Sequence, residues 1–265
     1  MDVVAIILTA IVVGVVGLIV GLLLVTAGEK FKVEVDEKEV AVRAELPGNN
    51  CGGCGFPGCD GLAAAIAKGE APVNGCPVGG APVAEKIAAI MGQDAGAAVK
   101  KVAYVHCSGN CDVAKTKGEY YGIQDCRAAK AIPGGGSKAC AFGCKGLGTC
   151  VKACQFDAIH IVNGVAVVDR NKCVACGKCA SVCPNNLIDI IPDDAKYMVS
   201  CSSQEKGKPV KEACEVGCIG CTLCTRQCEF GAISMKGNVA VIDGEKCTGC
   251  GKCAEKCPAK IIRER

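Results

Sequence analysis

The stretch Cys218-Ile-Gly-Cys221-Thr-Leu-Cys224-Thr-Arg-Gln-Cys228 has the spacing C-x2-C-x2-C-x3-C, which is typical of iron–sulfur ligands. Three thiolates separated by two residues let one tight loop hold a cubane cluster. The fourth thiolate lies three residues further on and reaches a different cluster, as in chains that bind two clusters side by side. A second run over residues 247–258 ends in Cys257-Pro258, so each run can lend its last cysteine to the other's cluster.

The composition favours a fold that depends on bound metal. The chain has 265 residues with 25 Cys, 35 Gly and only 3% aromatic residues, so its soluble part cannot build an ordinary apolar core. Disulfides and zinc are the alternatives. Disulfides suit secreted chains rather than regular C-x2-C triplets, and a run of four cysteines followed by proline indicates iron–sulfur ligands rather than a zinc finger. The net charge of +3, without a basic stripe carrying aromatics, argues against nucleic acid as a partner.

The N-terminus is predicted to be a transmembrane helix (residues 1–28). Residues 3–28 carry no charge and would form a helix of about 39 Å, long enough to cross a bilayer with some tilt. A cleavable signal peptide would need a basic start, whereas the only early charge is Asp2. Lys30 and Lys32 follow the segment, and the positive-inside rule therefore places the soluble part in the cytoplasm, attached to the cell membrane by a single span.

Two stretches lack a recognisable cluster motif. Residues 29–47 are polar with short alternating apolar pieces, Phe31-Val33-Val35 and then Val40-Val42, which predict a linker with one or two short strands. Residues 99–139 form a connector that contains Cys107, Cys111 and Cys126.

Between these stretches, residues 48–98 are predicted to form a small four-cysteine domain. Its cysteines have the spacing C-x2-C-x4-C-x16-C, and the surrounding glycines let the backbone approach a cluster closely. A zinc knuckle is the alternative, because this spacing is not the one found above. A short helix is predicted over residues 60–67, and a second one, with an apolar stripe at helical spacing, over residues 83–92.

The C-terminal half contains an internal duplication. Adding 74 to a residue number maps Cys144 onto Cys218 and Cys173 onto Cys247 without any insertion. The two copies are residues 140–199 and 200–265. In the first copy, Asn163-Gly164 lies between two short β-branched runs and predicts a hairpin with a type I′ turn. The expected fold class is α+β, with a single N-terminal transmembrane helix, a small four-cysteine cluster domain and two tandem bacterial-type 2[4Fe-4S] ferredoxin modules.

The spacings predict five sets of cluster ligands and leave a sixth open. In the first module the repeat places Leu147 where a thiolate is expected, so the nearby Cys140 is assigned as the replacement; a degenerate, empty site is the alternative. The remaining cysteines are either a sixth set or inert buried thiols. The predicted sets are set 1, Cys51, Cys54, Cys59 and Cys76; set 2, Cys140, Cys144, Cys150 and Cys183; set 3, Cys154, Cys173, Cys176 and Cys179; set 4, Cys218, Cys221, Cys224 and Cys257; set 5, Cys228, Cys247, Cys250 and Cys253; and set 6, Cys107, Cys126, Cys201 and Cys214.

The order of these parts resembles a known family. A single span, a domain with NNCGGCGFPGC and CPVGG, and two modules carrying GCIGCTLCTRQC and KCTGCGKCAEKCP are similar to the B subunit of the Rnf complex, an ion-translocating ferredoxin:NAD oxidoreductase. The resemblance implies [4Fe-4S] clusters and reduced ferredoxin as the electron donor. It also implies transfer to other membrane and peripheral subunits, which hold flavins, move Na⁺ or H⁺ and reduce NAD.

The sequence shows no nucleotide-binding motif of its own. There is no G-x-G-x-x-G after a strand and no phosphate loop, so we expect no NAD or flavin site on this chain and one-electron transfer as its chemistry. Two alternative functions remain. A polyferredoxin subunit of a membrane hydrogenase or corrinoid-linked enzyme would use the same chemistry, whereas a thiolate store for metal would bind zinc.

Lysines near the ligand loops suggest how an electron donor is attracted. Their positive charge could steer an acidic protein towards the clusters, and an ordinary solvated surface is the alternative. The lysines are Lys145, Lys152, Lys172, Lys178, Lys246, Lys252 and Lys256.

Overall fold

The computed structural model describes residues 3–30, 36–96 and 99–265. The first element is helix α1 (Val3–Lys30). Its large apolar side chains whose exposure the structure describes are between 48% and 71% exposed, so they contact little of the rest of the chain. Within the described residues this is the one helix long and apolar enough to cross a membrane, and it lies at the N-terminus as predicted.

The four-cysteine domain consists of three helices and its own apolar core. The helices are α2 (Glu37–Glu45), α3 (Cys59–Ala67) and α4 (Gly80–Met91), and the last two match the helices predicted there. Leu62 and Ile66 of α3 and Ile87 of α4 are at most 1% exposed. This part of the protein therefore has a conventional packed interior.

Helix α2 replaces a predicted strand. Asp36 caps the helix, because its carboxylate accepts a hydrogen bond of 2.9 Å from the backbone N–H of Lys38. Val42 is fully buried against α3 and α4, and Leu46, just after the helix, also packs there. Strand formation over Val40 and Val42 was thus wrong: helical spacing places Val42 and Leu46 on one face. The other proposed strand residues, 31–35, lie outside the described residues.

The first module contains two antiparallel strand pairs. Strand β1 (Lys101–Val105) pairs along its whole length with β4 (Ile188–Pro192), and β2 (Ile159–Val162) forms a hairpin with β3 (Val165–Val168). Three short helices complete it: α5 (Cys126–Ala131), α6 (Thr149–Ala153) and α7 (Lys178–Val182). Because β1 comes from the stretch predicted to be a connector, this module includes residues well before 140.

The second module repeats this arrangement. Strand β5 (Tyr197–Val199) pairs with β8 (Ile262–Glu264), and β6 (Ile233–Lys236) forms a hairpin with β7 (Val239–Ile242). Its helices are α8 (Lys208–Ala213), α9 (Leu223–Gln227) and α10 (Lys252–Glu255). The two modules therefore share one topology, as the 74-residue repeat predicted.

The hairpin turns bring the cysteine loops onto the sheets. Asn163 and Gly164 form the two-residue turn between β2 and β3 with φ values of +47° and +76°, which confirms the predicted type I′ turn. Gly146, with φ +74°, lies directly on this turn: a Cβ atom there would be only 2.6 Å from the carbonyl oxygen of Gly164. In the second module, a Cβ atom on Gly220 would likewise be only 3.1 Å from the carbonyl oxygen of Asn238.

Because of this contact, we expect Gly146→Ala to lower the free energy of unfolding more than a substitution that has the same backbone strain but no steric clash. Gly69→Ala is the matched control, because Gly69 has φ +76° and nothing within 4 Å of its would-be Cβ. We expect a loss of about 2–4 kcal/mol of unfolding free energy for Gly146→Ala and about 1 kcal/mol for Gly69→Ala. Thermal unfolding of the full chain followed by circular dichroism measures both, and equal unfolding midpoints would contradict the close contact.

Candidate iron–sulfur centres

Five cavities in the soluble part are each lined by four cysteines. We number four of them after the predicted sets and call the fifth the junction cavity. Their cysteines are Cys126, Cys144, Cys150 and Cys183 in cavity 2; Cys154, Cys173, Cys176 and Cys179 in cavity 3; Cys218, Cys221, Cys224 and Cys257 in cavity 4; Cys228, Cys247, Cys250 and Cys253 in cavity 5; and Cys107, Cys140, Cys201 and Cys214 in the junction cavity.

Cavities 3, 4 and 5 bring together the same cysteines as the predicted sets 3, 4 and 5. The exchange of the fourth cysteine between neighbouring cavities follows from the short helices. Helix α9 carries Cys224 into cavity 4, and Cys228, the residue directly after the helix, lines cavity 5. Helix α6 likewise carries Cys150 into cavity 2, and Cys154, directly after it, lines cavity 3. One turn of helix therefore separates ligands of adjacent sites.

Cavity 2 differs from predicted set 2, because Cys126 lies there instead of Cys140. Cys126 begins helix α5, whose cap is joined to the start of α6. The backbone N–H of Cys126 donates to the hydroxyl of Thr149 (2.7 Å), and that hydroxyl donates to the carboxylate of Asp125 (2.9 Å). Hydrogen bonds from the backbone N–H of Ala128 and from Thr149 hold the pKa of Asp125 below its ordinary value. This linkage places a thiol from α5 beside the loop in which Leu147 replaces a cysteine.

The junction cavity takes Cys140 and joins the two modules. Predicted set 6 contained Cys126 in its place, so the structure exchanges these two cysteines. Each module contributes one cysteine just after its first strand, Cys107 after β1 and Cys201 after β5. Each also contributes one of the repeat partners Cys140 and Cys214. The cavity is thus built from equivalent positions of the two copies.

The difference in spacing between these pairs explains why the exchange was missed. Cys107 and Cys140 are 33 positions apart, whereas Cys201 and Cys214 are only 13 apart. The longer stretch in the first module contains α5 and therefore Cys126. Comparing the two spacings would have paired Cys107 with Cys201 and identified Cys126 as the additional cysteine.

Two equivalent hydrogen bonds connect the junction cavity to its neighbours. The backbone N–H of Cys144, in cavity 2, donates to the sulfur of Cys107 at 3.4 Å. The backbone N–H of Cys218, in cavity 4, donates to the sulfur of Cys201 at 3.3 Å. These contacts place the junction cavity directly between the two ferredoxin modules.

Several thiols in these cavities are poor acids on their own. Burial raises the pKa of Cys201 to about 11, although the backbone N–H groups of Cys218 and Ser203 oppose the shift. Burial, together with the charges of Cys144 and Cys126, raises the pKa of Cys150 to about 12. Without metal these groups hold their protons at neutral pH, so binding of metal cations must release protons and supply positive charge.

The four-cysteine domain positions set 1 beside cavity 3. Burial raises the pKa of Cys76, the backbone N–H of Gly79 lowers it by donating to the sulfur at 3.4 Å, and the charges of Cys59 and Cys51 raise it. Gly53 lies so close to the first module that a Cβ atom would be 2.8 Å from the carbonyl oxygen of Cys176. The ligand loops of set 1 and cavity 3 are therefore in contact.

Several of the lysines near the ligand loops are not free surface charges. Lys145 is only 8% exposed, lines cavity 2, and donates to the carbonyl oxygen of Ala141 at 3.2 Å. Three others form ion pairs on the surface, which weakens any long-range field. These pairs are Lys172 with Asp157 at 2.9 Å, Lys246 with Asp243 at 3.4 Å and Lys252 with Glu229 at 2.6 Å.

The cysteine arrangement fits clusters better than single metal ions. A tetrahedral zinc site with Zn–S bonds of about 2.3 Å requires sulfur atoms about 3.8 Å apart. Within the described residues, no three side chains of Cys, His, Asp or Glu are arranged to hold one ion. Instead, the thiols surround cavities, as an iron–sulfur core of several atoms requires. Cys111 is exposed and lines none of the five cavities.

Comparison with protein families agrees with this geometry. A family model described as "Putative Fe-S cluster" matches residues 46–78, which include all of set 1. A "4Fe-4S binding domain" matches residues 166–189, and a "4Fe-4S dicluster domain" matches residues 217–261.

Curated relatives cover nearly the whole chain. The B subunit of the Na⁺-translocating ferredoxin:NAD⁺ oxidoreductase complex of Acetobacterium woodii is 48% identical over 94% of this chain and 75% of the relative. The B subunit of an ion-translocating oxidoreductase complex of Methanosarcina acetivorans is 44% identical over 94% of each chain. The B subunit of the proton-translocating ferredoxin:NAD⁺ oxidoreductase complex of Clostridium ljungdahlii is 42% identical over 97% of this chain and 92% of the relative. The chain therefore belongs to the family of Rnf complex B subunits and is an electron-transfer iron–sulfur component of an ion-translocating oxidoreductase complex.

Proposed function

We propose that this chain holds six [4Fe-4S] clusters and relays electrons, one at a time, from reduced ferredoxin to the membrane subunits of its complex. The observation that carries this proposal is the succession of cysteine sets in which each set touches the next. Set 1 and the cysteines of cavities 2 to 5 and of the junction cavity would hold the clusters. When bound, the clusters supply the redox chemistry, and the chain fixes their spacing, hydrogen bonds and exposure.

The contacts favour one order for the relay. Cavities 5 and 4 share helix α9, and cavities 2 and 3 share α6. The hydrogen bonds to Cys107 and Cys201 join cavities 2 and 4 to the junction cavity. The approach of Gly53 to Cys176 joins cavity 3 to set 1. The proposed order is therefore cavity 5, cavity 4, junction cavity, cavity 2, cavity 3 and set 1.

The two ends of this relay suggest the direction of electron flow. At one end Cys250 of cavity 5 is exposed, so a cluster there is accessible to a soluble donor. At the other end, set 1 lies in the domain that follows α1 directly in sequence. We propose that α1 crosses the cell membrane once, that the soluble part is cytoplasmic, and that electrons leave near the membrane. Two of the relatives are named as components of ferredoxin:NAD⁺ oxidoreductase complexes, which supports ferredoxin as the donor.

The exchange of Cys126 and Cys140 predicts which double variants lose one cluster and which lose two. Cys126→Ala with Cys183→Ala removes two ligands of one site, so we expect a loss of about four iron atoms per chain. Cys140→Ala with Cys183→Ala removes ligands of two sites, so we expect a loss of about eight. Iron and acid-labile sulfide are measured on the full chain after anaerobic purification.

Cys111→Ala is the control for this experiment, since Cys111 lines none of the five cavities and its loss should leave iron unchanged. The grouping first predicted from sequence requires the opposite pattern. It would make the loss about eight iron atoms for the Cys126–Cys183 pair and about four for Cys140→Ala with Cys183→Ala.

Electron entry is tested by adding anaerobically reduced ferredoxin to the oxidised full chain in detergent and following the loss of visible cluster absorption. We expect rapid reduction that slows about threefold in Lys256→Glu at low ionic strength. Lys256 is exposed beside Cys257 of cavity 4, the neighbour of cavity 5, and forms no ion pair within the described residues.

Lys68→Glu is the matched control for the electron-entry experiment. Lys68 is exposed at the end of α3, in the domain that carries set 1, and we expect its reversal to leave the rate unchanged. A slower rate in Lys68→Glu alone would place entry at set 1, and a wild-type chain that ferredoxin does not reduce would contradict the proposed donor.

A further inference from the structure

Lys138 is a buried cation to which the described residues offer no carboxylate partner. Lys138 is only 7% exposed, although lysine is almost never buried unless it is paired. Its ammonium donates hydrogen bonds of 2.7 Å to the carbonyl oxygens of Gly109 and Gly164. Among the residues that the structure describes, no carboxylate forms an ion pair with it. Carbonyl dipoles satisfy its hydrogen bonds but do not neutralise its charge.

The junction cavity offers Lys138 a concentration of opposite charge. Lys138 lines this cavity together with Cys107, Cys140, Cys201 and Cys214. Four thiolates bound to a [4Fe-4S] core carry a net negative charge, which grows by one unit when the site accepts an electron. An ammonium held at the wall of the cavity therefore stabilises the reduced state more than the oxidised state.

We propose that Lys138 is the counter-ion of the junction cluster and raises its reduction potential, so that the site between the two modules accepts an electron more readily than it would otherwise. This inference rests on the proposed function. The electron that the site gains comes from the neighbouring cluster of one module and is passed to that of the other, so no further reactant is consumed. Lys138 does not itself take part in the transfer but sets the charge of the cavity.

The first module supplies this positive charge, and the equivalent position in the second module is acidic. The repeat partner of Lys138 is Glu212, whose side chain is 61% exposed and forms an ion pair of 3.6 Å with Lys208 in the preceding turn of α8. The second module therefore contributes two cysteines to the junction cavity but no matching ammonium. The carbonyl of Gly164 belongs to the β2–β3 turn, so the first module alone holds the cation in place.

The test is a redox titration of the full chain in detergent, monitored by electron paramagnetic resonance. The signal that disappears in Cys140→Ala identifies the junction cluster. In Lys138→Met we expect the ratio of reduced to oxidised junction cluster, at a fixed solution potential, to fall about tenfold, which corresponds to about 59 mV for a one-electron couple. Lys138→Arg keeps the charge and should retain most of the wild-type ratio.

Lys208→Met is the matched control, because it removes a lysine charge that is 85% exposed and screened by solvent. It should leave the ratio unchanged. If Lys138→Met fails to load the junction cluster while Lys138→Arg loads it fully, a required positive charge is again supported. Loss of loading in both variants, or an unchanged ratio in Lys138→Met, would overturn the proposal. A wild-type chain that lacks about four of the expected iron atoms would instead contradict the proposed sixth cluster.

Discussion

The structure of the two ferredoxin modules depends on cysteine thiols grouped in fours. In the second module the interior combines a few branched side chains with Cys218, Cys224 and Cys253, each about as buried as the aliphatic residues around them. Such a small interior buries little apolar surface, and burial raises the pKa values of Cys224 and Cys253. Metal–thiolate bonds therefore supply stability that the side chains alone cannot. The four-cysteine domain differs, because Leu62, Ile66 and Ile87 give it a core of its own.

A duplication followed by divergence accounts for the continuous arrangement of the sites. Each copy keeps one cysteine after its first strand and one before its ligand run, and these four residues meet between the copies. The first copy then diverged: Leu147 replaced a thiolate, and the longer stretch before Cys140 supplied Cys126 through helix α5. The stretch that ends at Cys140 therefore supplies two cysteines to the junction between the modules and also supplies Cys126, which takes the place of the missing thiolate in cavity 2.

The sequence predicted the architecture well because short motifs dictated it. Cysteine spacing depends on local loop geometry, so the cysteines of sets 3, 4 and 5 were grouped as they are in the structure. The Asn163-Gly164 turn was predicted for the same reason. Cys126 and Cys140 were exchanged because their positions depend on long-range contacts, such as the hydrogen bonds that join α5 to Thr149. Strand β1 was missed since its partner, β4, lies more than eighty residues away.

We propose that clusters fill six cysteine sets in one continuous succession, with one of them between the modules. Anomalous diffraction at the iron absorption edge, from crystals of the anaerobically prepared full chain, would locate the iron directly. We expect six separate iron peaks, each surrounded by one of the cysteine sets, including a peak enclosed by Cys107, Cys140, Cys201 and Cys214. A map with no iron at that position, or with a peak at the zinc edge there instead, would contradict this proposal.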